Sequence, residues 1–426
     1  MCYTFGENVL CEEKNFYYFE GVMTMTDVSP KTVLCICSYE KGQEFLRECK
    51  RQGWHVILLT VTALEHADWP RESIDELFYM PDLSKVDEVI RGVSFLARSR
   101  VIDRIVALDD YDVWTGAALR EHLRVPGMGD TTVRYFRDKL AMRLKAQEHG
   151  IPVPDFVHIL NHSKIGEYME HVPPPWVLKP RFEASTIGIT KINAAEELWP
   201  RIDTLGDLQS FYLLERYLPG EVYHVDSLVV NREVVFAEAH QYMRPPLDVF
   251  HQGGIAATRT ILRGSQDEQT LKELNRRVLS SFGMVQGAVH MEFIKGRDEG
   301  RFYFLETAAR VGGANIVDLV EASTGINLWR EWARIETTPV YQLPAHQQNY
   351  GGVIITLARQ EHPDTSAYQD PEIVWRMNKR HHVGFVVVSQ DPERVQFLLD
   401  EYSRRFTDDF FATLPPRETR PPSSEP

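Results

Sequence analysis

Cysteine is scarce: five of 426 residues, Cys2, Cys11, Cys35, Cys37 and Cys49, all near the N-terminus. An odd number gathered at one end does not make a disulfide framework. Cys35 and Cys37 lie in the apolar run Val33–Cys37, where cysteine serves as a small core residue. A reducing cytoplasm is the simplest setting. No apolar run approaches the length of a membrane span, and the N-terminus lacks the charged, apolar and small-residue succession of a signal peptide. Positive charge is also short, with Lys+Arg 47 against Asp+Glu 61 and a net charge of −14. That argues against broad nucleic-acid binding but leaves room for a local basic pocket for a polyphosphate. There is no Gly-x-Gly-x-x-Gly run, so a dinucleotide site is not expected, and there is no internal repeat.

What is present is a chain long enough for two or three domains with ordinary globular composition, 43% hydrophobic and 25% charged. Residues 1–28 are aromatic without a clean period and read as an N-terminal extension. From residue 32 the pattern alternates strand, helix and strand: Thr32–Cys37, Gln43–Gln52, Trp54–Val61, a helix near 84–98, and Ile102–Leu108. This predicts an α/β, Rossmann-like domain over 29–130 with a parallel sheet, whose strand carboxyl ends are the usual place for ligands. Thr131–His149 reads as one helix with Phe136, Leu140 and Leu144 on a face, ended by Gly150, Pro152 and Pro154. It links to an α+β region over 155–338, mostly strands. Residues 339–412 read as a small C-terminal α+β cap, and 413–426, rich in Pro and Ser, as a disordered tail.

Two carboxylates stand out. Counting outward from the turn Arg297–Arg301 places Gly296 against Phe302, Ile294 against Phe304, and Glu292 against Glu306, provided the hairpin has no bulge. Like charges directly opposite are destabilising. A cation, a shared proton or solvent exposure would relieve them, and the flanking Phe293, Ile294, Phe304 and Leu305 argue against exposure. Two such residues on rigid strands suit Mg²⁺, which takes one or two carboxylates plus substrate phosphates; a solvated polar pair is the plain alternative. His290 and Arg310 continue the same face, followed by Gly312-Gly313 and a helix start that favours an anion.

Lysines supply the opposite charge. Lys179 sits within the apolar strand Trp176–Pro180, where a lysine has a buried anionic partner or reaches out with its head. The following stretch, Arg181–Gly188, includes Ser185 and could present backbone N–H groups to a phosphate, although it holds one glycine. Lys139 is the second candidate. In the Pro- and Gly-rich segment Arg244–Gly254 and just after it, Asp248, His251 and Arg259 could touch a ligand or belong to a structural loop.

In this order, Phe136–Lys139, Val177–Pro180, Leu214–Gly220, Met291–Phe293 and Leu305–Gly313 resemble the ATP-grasp superfamily, with closest similarity to L-amino-acid ligases and biotin-carboxylase-like proteins. The resemblance spans roughly residues 32–335. It implies a pre-ATP-grasp domain followed by two α+β lobes that hold ATP between their sheets. By the same resemblance, Lys139, Lys179 and Ser185 would contact phosphates. Glu215 would meet the adenine amino group, and backbone groups of Arg216 and Leu218 would read the ring edge. Glu292 and Glu306 would hold Mg²⁺, or Mn²⁺ in its place, and Arg310 would stabilise the transferring phosphoryl group. Three departures stand out. Ala308 occupies a position where many members have Asn, and His290, opposite it, could supply the missing contact. Val222 occupies the ribose-binding glutamate's position, with Glu221 one residue early. The phosphate loop is poor in glycine.

The activity implied is ATP-dependent joining of a small-molecule carboxylate and an amine, amino acids among them, through an acyl phosphate, with one lobe closing to exclude water. A homodimer is compatible with the resemblance; nucleic acid and membrane are not expected as partners. Two other readings follow from the same motifs: biotin-carboxylase-like carboxylation, for which no biotinylated-lysine motif is apparent, and a nucleotide-binding regulatory or scaffold protein with a degenerate site.

Overall fold

The computed structural model describes residues 30–184 and 186–413, with two short backbone strands, Thr4–Phe5 and Asn8–Val9, that pair with each other. Ser185, the rest of the N-terminal extension, the tail from residue 414 and the side chains of residues 250–252 lie outside the described residues.

The first layer is a parallel sheet of β1 (Thr32–Cys37), β2 (His55–Val61), β3 (Glu76–Met80) and β4 (Arg104–Ala107), in the order β3-β2-β1-β4. Every residue of β1 is buried, as a strand covered on both faces requires. Helices α1 (Gln43–Arg51), α2 (Val86–Leu96) and α3 (Val113–Leu123) accompany it. Cys35, Cys37 and Cys49 are free and buried in its core.

The expected single helix over 131–149 is broken. Short helical turns run through Phe136, Arg137 leaves the helical region, and α4 begins afresh at Lys139–Glu148. The cause is Asp138, whose side chain accepts from the Leu140 N–H as an N-cap while ion-pairing with Arg181. Leu144, placed on the apolar face by the periodicity, is exposed.

A small antiparallel sheet follows, ordered β5-β8-β6-β7, from β5 (Phe156–His158), β6 (Trp176–Pro180), β7 (Thr190–Ile192) and β8 (Tyr212–Arg216). Helices α5 (His162–His171) and α6 (Ala195–Leu205) complete this lobe. It has its own core of Ile165, Trp176, Leu178, Leu198, Ile202 and Leu214. Alternation along β6 turns Trp176 and Leu178 into that core and leaves Val177 and Lys179 on the other face.

The largest sheet is antiparallel and eight-stranded. Its strands are β9 (Gly220–Val230), β10 (Glu233–Tyr242), β11 (Ala256–Thr260), β12 (Gly287–Gly296), β13 (Phe302–Ala308), β14 (Tyr350–Leu357), β15 (Ile373–Arg376) and β16 (His382–Ser389). The order is β13-β12-β9-β10-β11-β14-β16-β15. Residues 339–412 thus contribute strands to this same sheet through the β11–β14 pairing. Helices α7 (Pro246–Gln252), α8 (Gln266–Phe282), α9 (Ile316–Thr324), α10 (Leu328–Thr337) and α11 (Pro392–Asp409) complete the chain. One hydrophobic core runs from β1 and α1 through α8, β9, β12 and α10, so the first layer and the large sheet share their packing. The Trp54 indole donates to the Thr337 carbonyl at 3.1 Å, and Arg334 reaches Glu48 at 2.7 Å across the same junction.

Candidate active site

Between the small and large sheets lies a cavity of about 510 Å³. Its ionic end is built by the β12–β13 hairpin. Glu292 is the register partner of Glu306, and His290 that of Ala308. The route to that pairing differs from the count made on the sequence. The turn is tighter, pairing Lys295 with Phe302 and Phe293 with Phe304, and a bulge after Glu292 absorbs Leu305 as an extra residue. As a result the consecutive residues Leu305 and Glu306 both line the cavity, where a regular strand would send one away.

The repulsion between these carboxylates is relieved by nearby cations and donors. Lys139 Nζ lies 2.9 Å from Glu306 Oε2 and donates to the Glu183 carbonyl at 2.6 Å. The Tyr242 hydroxyl donates to Glu292 Oε1 at 2.9 Å, and His290 Nε2 stands 3.5 Å from the same oxygen. Burial opposes ionisation of Glu306, but Lys139, Lys179 and Arg143 together hold its carboxyl down at about 2. Burial likewise opposes protonation of His290, while Asp226 and Glu292 raise it to about 9, so its imidazolium is a standing positive charge. Glu292 Oε2 and Glu306 Oε1 find no protein donor among the described residues. Two hard oxygens on paired rigid strands fit a divalent cation such as Mg²⁺.

Helix α4 clasps the two sheets. Lys139 and Arg143, four apart, lie on one helix face. Lys139 reaches Glu306 on the large sheet, and Arg143 reaches Glu215 on the small one at 2.5 Å. Glu215 is buried, and its other oxygen pairs with Lys179 at 2.5 Å. Despite the burial that disfavours charge, Arg143 and Lys179 keep the Glu215 carboxyl below its ordinary range. Glu215, expected to meet an adenine amino group, therefore has both carboxylate oxygens engaged by cations, because cross-strand geometry brings β6 and β8 together there. It is the buried anionic partner that Lys179 required.

The remaining candidates sort by position. Arg216 and Leu218 line the cavity, although the Arg216 N–H is already donated to the Asp155 carbonyl. Glu221 is exposed and accepts from the Tyr223 hydroxyl at 2.8 Å, while Val222 is buried beside Ile294 and Tyr303; both line the cavity. Arg259 lines it too, held by Gln241 at 2.8 Å. The side chain of His251, on α7, and all of Ser185 lie outside the described residues.

Arg310 stands apart from the large cavity. It lines a small adjoining one of about 20 Å³ that shares Lys139, Glu183 and Glu306 with it. Asp110 and Arg137 close this second cavity and pair with each other at 3.0 Å. Asp110 follows β4, at the carboxyl end of a parallel strand, and neighbouring Asp109 is held ionised against its burial by Lys41 and, more weakly, by Arg310. The sequence reading missed Asp109, Asp110, Arg137, Arg143 and Tyr242. Only the two aspartates had a signal, since they end an apolar strand in a parallel sheet.

Comparison with known proteins agrees with this architecture. The family model described as an ATP-grasp domain matches residues 172–318. An L-arginine-specific L-amino acid ligase of Bacillus subtilis is 24% identical over 310 residues, covering 71% of this chain and 73% of that protein. An alanine–anticapsin ligase of Bacillus subtilis strain 168 is 23% identical over 264 residues, covering 57% of this chain and 55% of that one. Among solved structures, an L-amino acid ligase from Bacillus licheniformis superposes with a TM-score of 0.70 at 17% identity, over 90% of this chain and 99% of that one.

Proposed function

Because this chain is built around an ATP-grasp domain, we propose that it is an ATP-dependent, ADP-forming carboxylate–amine ligase acting on amino acids. The observation that carries the assignment is the convergence of Glu292, Glu306, Lys139 and Lys179 at one end of the interlobe cavity, with Arg310 in the adjoining one.

The larger cavity takes the nucleotide. Val177, Ile187, Ile294 and Leu305 give it an apolar part for a purine ring, and Arg216 and Leu218, whose backbone would read the ring edge, line the same cavity. Lys179, oriented by Glu215, and Lys139 face the phosphates. Glu292 and Glu306 would hold Mg²⁺, which would neutralise phosphate charge during transfer. His290, fixed by Asp226, steadies Glu292 in place of the amide found elsewhere at Ala308.

Arg310 binds the substrate carboxylate and the equatorial phosphoryl oxygens. A carboxylate oxygen attacks the γ-phosphorus, and the bond to the ADP oxygen breaks. The amine then attacks the acyl carbon, inorganic phosphate leaves, and the amine loses a proton. The ionic cluster mainly positions these groups and neutralises their charge, which is what phosphoryl transfer demands of a protein.

The test is phosphate release from Mg·ATP across a panel of single and paired amino acids, with products weighed by mass spectrometry. The expected result is a pair-dependent condensed product that disappears in Glu306→Gln. ATP binding with no amino-acid-dependent turnover would overturn the amino-acid reading, and silence with other carboxylates and bicarbonate as well would favour a regulatory nucleotide-binding role.

A further inference from the structure

Behind the carboxylate pair, on the same face of the large sheet, lies a cluster that the ligase reading leaves largely unused. His224 and Asp226 alternate along β9. His240 of β10 is the register partner of His224, and His290 of β12 is that of Asp226. His224, Asp226 and His240 are completely buried. Asp226 Oδ2 is 2.7 Å from His224 Nδ1 and 3.6 Å from His240 Nδ1, while Oδ1 is 2.9 Å from His290 Nδ1. The ligand atoms of His224, Asp226 and His240 all lie within 4.8 Å of one another.

The second observation concerns His240. Among the described residues, neither of its ring nitrogens makes a hydrogen bond; Nδ1 stands 3.6 Å from Asp226 Oδ2 and Nε2 has no polar partner. Leaving a buried polar group unsatisfied is costly, and an imidazole has two such atoms to satisfy. We propose that His224, Asp226 and His240 bind one divalent transition-metal ion of the Zn²⁺, Co²⁺ or Fe²⁺ class, at a site distinct from Glu292 and Glu306.

The donor chemistry selects the class. Two imidazoles and one carboxylate on neighbouring strands suit these ions, whereas Mg²⁺ takes oxygens. Ligand atoms about 2.0–2.1 Å from a tetrahedral ion lie about 3.3 Å apart, a value bracketed by the two distances to Asp226 Oδ2. The supporting contacts are in place: His224 Nε2 meets Thr258 Oγ1 at 2.8 Å, and His290 fixes the other Asp226 oxygen. Gly312 packs over this junction so closely that a Cβ would lie 2.7 Å from Asp226 Oδ1.

The experiment uses the full chain, expressed with added zinc, dialysed free of loose metal and assayed by elemental analysis. About one zinc per chain is expected in the wild type and in Glu292→Gln, falling to less than about a tenth in His240→Gln and Asp226→Asn. Zinc absent from the wild type, unchanged in both ligand variants, or lost with Glu292→Gln would overturn the site. Should the ligand variants not fold, the wild type expressed with cobalt decides. Visible Co²⁺ bands that survive saturating Mg·ATP support the site, and bands that are absent or abolished by it overturn it.

Discussion

Glu215 shows what one carboxylate holds in place. Arg143 is completely buried, and Glu215 is its ion-pair partner. Removing one member of a buried ion pair leaves the other charge uncompensated, at a cost of about 3–5 kcal/mol. Glu215→Gln should lower unfolding stability by that order in urea titration, and it should slow turnover by freeing Lys179. A pH dependence follows from the same residue. Its folded carboxyl titrates below the ordinary 4.5, as does Glu48, where burial is outweighed by Arg334 and Gln52. A lowered folded pKa contributes stability that is present above the unfolded value and lost as pH falls through the folded one. Unfolding monitored by tryptophan fluorescence should therefore show stability declining below about pH 4.5, and Glu215→Gln should flatten that decline. At this scale candidates were legible but their partners were not. Lys179 signalled a buried anion by its apolar neighbours, but Glu215 and Arg143 come from another strand and a helix, and no local pattern links them.

Among the elements, β14 carries a different constraint. Its Gly351 and Gly352 face opposite sides of the sheet. A Cβ at Gly351 would sit 2.7 Å from Leu319 of α9, and one at Gly352 would sit 2.7 Å from Leu399 of α11. The two helices can approach because neither residue has a side chain. Gly351→Val and Gly352→Val should each destabilise by about 1–3 kcal/mol in thermal melts, the overpacking cost. Only the Gly352 variant should also disturb ligand binding, since α11 brings Gln396 to the cavity wall. The apolar, β-branched run of β14 fits the α+β reading of residues 339–412. The break before Lys139 was not legible, because Asp138 can sit inside a helix or cap one, and its ion pair with Arg181 decides which. The Glu292–Glu306 pairing was reached through two offsetting differences, a tighter turn and a bulge, neither of which has a signature in periodicity.

For the whole molecule, the division of cores sets the order of opening. The first layer and the large sheet share one core, whereas the small lobe packs on its own few residues. Regions with fewer buried apolar contacts open at lower free energy. Amide exchange should show β5–β8 opening before β1 or β9, and Mg·ATP should slow that opening by joining the lobes through Lys139, Lys179 and Glu306. Uniform exchange across both cores would contradict this. The strand–helix alternation in the sequence announced the parallel layer, but nothing local announced that it would fuse with a sheet begun at residue 220.

The bulge at Leu305 sets two neighbouring side chains, one oily and one anionic, into the same cavity. The wall therefore changes from hydrocarbon to ionic across a single peptide bond, about 3.8 Å from Cα to Cα. A molecule settling there meets a sharp frontier, and its own polarity must break at the same place. Tripolyphosphate, charged throughout, would forfeit the oily side; adenosine would forfeit the ionic side. The cavity thereby discriminates by where along a ligand the charge begins.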